Sequence, residues 1–363
     1  MDMGLNEEQL MFEAALRRYL NEALPVDALR RFIESGLGFE PTLWQGLVDL
    51  GVPGLMVPQD CGGSGLGMIE AAIAAEQMGA AAAPAPFIGS VVMATQALLH
   101  SGSAAQRKEW LPRIAMGQAR IAVGFASALS GQTGTASVSL KRGRLSGRID
   151  AMLEADGASH FLLYLADGRG ALVEASSARV EPHASVDGAR RILSVVLEGA
   201  HAQTLAAKPS DARRIATKVL DAGRLALACD TLGASQTMLD RSVAYAKERE
   251  QFGRPIGSFQ GVKYMCADMV TQLEPCRALV WHAAFLHDAG SGDARVAALQ
   301  AKAHVSDVAR EVSRMAIEVH GGVGFTDLLG LPYWFRRIAF NRQMLGNPER
   351  CRHEAAQVQG WGA

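Results

Sequence analysis

The sequence contains no CxxC pair and no His or Cys cluster with the spacing of a zinc site. Its five cysteines, Cys61, Cys229, Cys266, Cys276 and Cys351, are odd in number and far apart. That fits reduced thiols in a cytoplasmic protein better than a disulfide framework. His183, His282, His287 and His304 also lack partners at metal-ligand spacing, and core or surface roles suit them better. No run is long and apolar enough to cross a bilayer, since Ala80–Ala85 is short and soon followed by prolines. The start, Met1 to Glu8, is polar and acidic, unlike a secretory signal. With 36 Lys and Arg against 37 Asp and Glu, scattered for a net charge of −1, there is no concentrated basic face for a nucleic-acid backbone. A soluble cytoplasmic protein is expected, with no structural metal, no membrane span and no nucleic-acid partner.

What is present is enough apolar residue for large cores: 49% of 363 residues, with 20% charged, which places the chain among well-buried globular proteins of two or three domains. Three regions differ in pattern. Residues 1–118 read as helices, with Asn6 as a cap before Glu7-Glu8, a helix over Pro41–Leu50, and others over Met68–Met78, Ile88–Leu99 and Ala104–Ala115. Residues 119–205 switch to short β-branched or alternating runs, at Ile121–Phe125, Ala136–Leu140, Phe161–Leu165, Ala171–Glu174 and Ile192–Leu197, as in a small β-barrel or sandwich. Residues 206–363 return to helix, with Ser210-Asp211 as a candidate cap for a helix reaching Lys247, then Phe259–His287 and Asp293–Val319. The order is α, β, α, without an internal repeat.

Two segments carry candidate chemistry. Arg249-Glu250-Gln251-Phe252-Gly253-Arg254-Pro255 sets a guanidinium and an aromatic ring at a helix–turn–helix junction. A planar guanidinium offers paired donors to a pyrophosphate, and the ring can face an adenine or flavin. Taken alone, an Arg-x-x-Phe more often ends a helix and fills a core. Gly321-Gly322-Val323-Gly324 permits close backbone approach to a phosphate or ring, but a lone Gly-Gly-x-Gly is weak. Gly62-Gly63-Ser64-Gly65 is not followed by Lys-Ser/Thr and reads as an ordinary loop.

The order of the segments adds what each lacks. Asn6-Glu7-Glu8-Gln9, Leu50-Gly51-Val52-Pro53-Gly54, Gly62-Gly63-x-Gly65, Glu76-Gln77-Met78-Gly79, Trp110-Leu111-Pro112, Arg249-x-Gln251-Phe252-Gly253 and His320-Gly321-Gly322-Val323-Gly324-Phe325 follow one another along the chain. In this order and spacing the sequence resembles the acyl-CoA dehydrogenases from end to end. The resemblance implies an α+β protein with an N-terminal helical domain, a central β-domain and a C-terminal four-helix bundle. It also implies FAD shared between subunits, an acyl-CoA substrate and an electron-transferring flavoprotein as acceptor. By position, Arg249, Gln251 and Phe252 match residues that contact a neighbouring subunit's FAD. Gln260 and the stretch Glu318–Gly322, with Gly321 and Gly322, match the adenosine and pyrophosphate side. Asn347 and Glu349 match the last FAD-contacting positions. In such enzymes a carboxylate removes the α-proton while the β-hydrogen leaves as hydride to the flavin.

The sequence departs from the family where that carboxylate belongs. Leu345 stands at the usual Glu position, and Gly223, before Arg224, stands at the alternative one. The loop that packs on the flavin in the family is replaced by Ala126-Ser127-Ala128-Leu129-Ser130-Gly131-Gln132, and the next flavin-facing aromatic by Ala151 or Met152. These losses fall on the flavin-ring side, whereas the adenosine-side segments survive. The pattern resembles the smaller, degenerate subunit of bacterial α2β2 acyl-CoA dehydrogenases, in which Arg249 and Phe252 would complete the site of a longer homologue acting on a bulky acyl group such as a steroid ring fragment. Three readings stay open: an active dehydrogenase, as a homo-oligomer or with a partner; a non-catalytic subunit; and a flavoprotein of the same fold with other oxidase chemistry. Asp230, seven residues after Gly223 on the same helix face, is a candidate relocated base, with an inter-helix ion pair as its plainer role. Glu349 is a lesser candidate.

Overall fold

The structure, a computed structural model, describes residues 4–130 and 137–361. Helix α1 (Glu7–Ala23) starts at Asn6, whose side chain accepts from the Gln9 amide at 2.8 Å while Gln9 returns the bond to the Asn6 amide at 3.0 Å. This reciprocal cap satisfies two of the first amides a helix leaves without partners. Helices α2 (Val26–Ser35), α3 (Pro41–Asp49) and α4 (Met68–Ala80) follow. The segment expected as one helix over Ile88–Leu99 is π-helical over Phe87–Ala94 and continues as α5 (Thr95–Ser101), before α6 (Ala104–Ala115).

The middle region holds β1 (Ile121–Phe125), the helical turn α7 (Ser127–Ser130), β2 (Ser137–Lys141), β3 (Arg144–Leu153), β4 (His160–Tyr164), β5 (Gly170–Glu174), β6 (Arg179–His183), β7 (Ile192–His201) and β8 (Gln203–Thr204). They form two four-stranded sheets, ordered β1-β4-β5-β8 and β2-β3-β7-β6, with β1 and β4 parallel and every other pair antiparallel. A separate core that includes Ile149, Met152, Phe161, Leu163, Val173 and Val195 serves these strands. Removing each such side chain from water contributes roughly 1.5–3 kcal/mol. Gly131 and Gln132 of the altered loop, and Ala136 at the start of an expected strand, lie outside the described residues.

The last region is built on α8 (Pro209–Glu248), followed by the two-residue strands β9 (Glu250–Gln251) and β10 (Arg254–Pro255), then α9 (Gln260–Asp288), α10 (Ala294–His320), α11 (Leu331–Gln343) and α12 (Pro348–Val358). Neither Ser210 nor Asp211 caps α8: Lys208 is the cap residue, and Pro209 occupies the first helical position, where its missing N–H costs nothing. α8 meets α4 at two glycines. A Cβ on Gly79 would collide with the Asp230 carbonyl, and one on Gly233 with the Glu76 carbonyl. Backbone contact at this crossing joins the first region to the last within one shared core. No helix among the described residues is long and apolar enough to cross a membrane.

Candidate functional site

The expected site residues separate along α8. At its C-terminal end the chain leaves the helix at Arg249, forms the β9–β10 hairpin, and re-enters helix at Gln260. Phe252 sits at the hairpin tip with φ +55° and 93% of its surface exposed. Its ring meets Phe259 edge-on at 6.1 Å, and the Arg254 guanidinium lies 4.2 Å from the Phe259 ring centre. Arg249, Gln251 and Gln260 are all exposed. The end of α10 reaches the same place, because His320 stacks on Tyr245 of α8 at 4.6 Å. That contact sets Glu318, Gly321 and Gly322 beside the hairpin end. A Cβ on either glycine would meet nothing within 4 Å. Here, then, the fold gathers seven of the nine expected cofactor-contacting residues on one exposed end.

Asn347 and Glu349 are elsewhere. Asn347 caps α12 by accepting from the Arg350 amide at 3.0 Å, and Glu349 pairs with Arg342, which also reaches Asp307 of α10. Asp307 precedes Glu318 by 11 residues, or about 16 Å along a helix. Within one chain, these two residues and the hairpin cannot line the same short stretch of ligand.

The other end of the comparison lies inside the protein. Gly223 and Leu345, the two positions at which the resemblance leads one to expect a catalytic carboxylate, face each other. A Cβ on Gly223 would lie 2.6 Å from Met93 Sδ and 2.8 Å from Leu345 Cδ1. Met93 and Leu345 are both buried, so apolar side chains fill this space. Leu345 has φ +57°, a conformation unfavourable for a branched residue, and its carbonyl accepts from Arg224 Nε at 2.7 Å. Fully buried Arg224 also makes a two-point contact with Glu354, at 2.9 and 3.0 Å, and reaches Asp221 at 2.8 Å. Burial works against ionisation of Glu354, but its bonds to Arg224 hold the carboxyl below its ordinary value. Arg224 is thus a clamp on the Leu345 turn, with its hydrogen-bonding capacity spent on neighbours.

Asp230 belongs to a second buried network. Its two oxygens accept from Arg190, at 2.7 and 3.3 Å, and Oδ1 accepts from Asn341 at 2.6 Å, while Arg337 lies 3.4 Å from Oδ2. Arg337 also pairs with Asp187. Every one of these side chains is buried, and together they tie the middle region to α8 and α11. The plainer role, an inter-helix ion pair, is the one this geometry serves. Glu154 stands at the edge of the network, 4.0 Å from Arg190, and accepts from the amides of Gly89 (2.7 Å) and Ile88 (3.3 Å). Burial pushes its carboxyl up to about 7, although Arg190 and the two amides oppose that shift. Sequence reasoning missed Glu154, Arg190 and Met93. No local pattern marks them, since Glu154 and Arg190 are charged residues 36 apart and Met93 lies in an apolar helical run, so only the fold reveals what each faces.

Ala151, at the expected flavin-facing position, lies in a β-bulge. The β3–β7 register shifts between Ile149 and Met152, and Ala151 has φ +51°.

The sequence matches the family profile "Acyl-CoA dehydrogenase, N-terminal domain" over residues 6–118 and "Acyl-CoA dehydrogenase, C-terminal domain" over residues 213–359. The chain belongs to the acyl-CoA dehydrogenase family. Among its relatives, "Acyl-CoA dehydrogenase IpdE2" of Mycolicibacterium smegmatis is 30% identical over 357 residues, covering 98% of this chain and 100% of that protein. The solved "Tcur3481-Tcur3483 steroid ACAD G363A variant" superposes with a TM-score of 0.87 at 27% identity, covering 98% of each chain. The ChsE4–ChsE5 complex of Mycobacterium tuberculosis shares the fold with a TM-score of 0.88 at 24% identity, covering both chains fully. FAD is the cofactor of this acyl-CoA dehydrogenase fold, and the fold read from the sequence is the one observed: helical domain, central sheets, helical domain.

Proposed function

We propose that this chain is one subunit of a heteromeric FAD-dependent acyl-CoA dehydrogenase, and that it completes the FAD site of a longer homologue instead of abstracting the substrate proton. The observation that carries this reading is the contact between Gly223, Met93 and Leu345. Removal of an α-proton needs a base within hydrogen-bond reach of the carbon acid. Neither Gly223 nor Leu345 can accept a proton, and the neighbouring Arg224 is a cation held by two carboxylates. Asp230 is no substitute on this reading, because Arg190, Arg337 and Asn341 occupy it.

The residues at the exposed end fit the cofactor's phosphate and adenosine part. Arg249 has no carboxylate partner among the described residues, and the glycine pair leaves open space in front of its backbone. Phe252, bare in the single chain, is an apolar group placed to be covered by another chain. Arg249, Gln251, Phe252, Gln260, Glu318, Gly321 and Gly322 would contact the partner's FAD, and Asn347 and Glu349 would serve a separate part of the assembly. FAD supplies the hydride acceptor, and an electron-transferring flavoprotein would receive its electrons. This chain's residues bind, orient and shield. A bulky acyl-CoA, steroid-derived in the manner of the steroid-named relative, is the proposed substrate class.

The test is to purify the chain alone and together with a longer homologue that keeps the glutamate, then compare bound flavin and its bleaching by acyl-CoA. Flavin retained only by the co-purified pair supports the reading. Stoichiometric FAD and substrate bleaching in the lone chain would sink it.

A further inference from the structure

Glu154 fastens the middle region to the π-helical segment Phe87–Ala94. Its carboxyl oxygens accept from the amides of Ile88 and Gly89, at 3.3 and 2.7 Å, in the first turn of that segment, where a helix leaves its N–H groups without internal partners. The same segment carries Met93, the side chain packed before Gly223. Only 5% of the Glu154 side chain is exposed, yet it forms part of the wall of a narrow cleft with Gly38, Pro86, Asp156 and Arg191. Asp156 and Arg191 reach solvent and pair with each other at 2.8 Å. The buried carboxyl is therefore one short movement from water.

The buried charges around Glu154 balance without it. Arg190 pairs with Asp230, and Arg337 pairs with Asp187 and lies 3.4 Å from Asp230, so two cations face two carboxylates. A neutral Glu154 leaves this group at zero net charge. An ionised Glu154 adds a third carboxylate, and its nearest cation, Arg190 at 4.0 Å, already holds Asp230 at 2.7 Å. An unbalanced charge inside a protein is costly. The rise of this carboxyl to about 7 fits that count: burial is the main cause and Asp230 adds to it, against Arg190 and the two amides. The backbone here also sits in an unfavourable conformation, since Glu154 has φ +56° close after Ala151 at φ +51° in the bulge. Turning the carboxylate out to water relieves the unbalanced charge and lets the backbone relax.

We propose that Glu154 is a pH-operated latch: protonated, it holds the first turn of the Phe87–Ala94 segment against the middle region, and when its proton leaves to solvent the carboxylate turns into the cleft and the segment carrying Met93 loosens. The carboxyl binds its proton more tightly in the closed latch than in the open one. The closed form is thus fully favoured below pH 4.5 and loses ground as pH rises through about 7. The inference does not depend on the flavin reading, since no residue of the exposed hairpin end takes part.

Hydrogen exchange of the full chain tests it, read by mass spectrometry on peptides covering Ile88 and Gly89 and corrected for the intrinsic effect of pH on exchange. In the native chain the opening equilibrium should rise about tenfold or more from pH 5.5 to pH 7.5. Glu154→Gln keeps an acceptor oxygen for the two amides but cannot ionise, so its opening should stay level. Asp230→Asn removes one carboxylate from the group and lets Arg190 offset an ionised Glu154, so its rise should be clearly smaller than the native one. Dilute urea, below the unfolding transition, should leave exchange at these amides unchanged, because a local opening exposes little surface. A level response in the native chain, an equal rise in Glu154→Gln, a full rise in Asp230→Asn, or acceleration by dilute urea to match the core of α10 would each overturn the latch.

Discussion

The two halves of α8 treat polar groups in opposite ways. In its N-terminal half, the face that carries Gly223 and Arg224 is sealed: Arg224 is fully buried and spends its donors on Glu354, Asp221 and the Leu345 carbonyl, and apolar side chains fill the space before Gly223. Its C-terminal end leaves Arg249 without an ion-pair partner among the described residues and Phe252 almost wholly exposed. Buried charge demands internal partners, because desolvation costs several kcal/mol per ion. Exposed charge and an exposed aromatic make no such demand and can be lent to another molecule. The difference shows which half stabilises this chain and which is available to a partner.

The comparison predicts a graded series of effects. Arg224→Met, which removes the buried partner of Glu354 and Asp221 and leaves them only the half-buried Arg295 and, for Glu354, Arg350, should cost about 3 kcal/mol in denaturant unfolding. A loss below 1 kcal/mol would mean the clamp is not what holds the Leu345 turn. Next comes the pH dependence of Glu154. Its carboxyl rises from 4.5 to about 7 on folding, so the folded state holds the proton more tightly than the unfolded one. Stability from this group is full below pH 4.5 and is lost as pH rises through about 7. By linkage the loss is on the order of 3 kcal/mol. Glu154→Gln should flatten that part of the stability–pH curve; an unchanged slope would refute the assignment. Leu345→Ala should cost about 2–3 kcal/mol, the lower part of the range for a buried leucine, because Met93 can relax into the space. At the other end, Arg249→Ala and Phe252→Ala should change the stability of the single chain by no more than about 0.5 kcal/mol. The same variants should lower the flavin content of the complex with the longer homologue. A large stability loss in the single chain would erase the contrast between the two ends.

How much was legible beforehand follows the same division. α1, α6 and β1 were readable because a cap residue, an apolar period or a β-branched run is local information. α11 and α12 escaped: α11 buries Arg337 and Asn341, and α12 has four charged residues among its eleven, so neither shows a clean apolar stripe. The edge strand β6 escaped as well, because its residues are largely exposed and carry no alternation.

The sequence by itself determined the order of helical and β regions, the family and the absence of a carboxylate at positions 223 and 345, since each rests on residue identity and spacing. The tertiary structure alone decided that these two positions touch across Met93, that Asp230 is bound by Arg190 and Asn341, and that Arg249 and Gly321 share one exposed end. Those pairs are 40 to 122 residues apart. Contacts over such distances depend on how whole helices and sheets pack, which no local run of residues encodes.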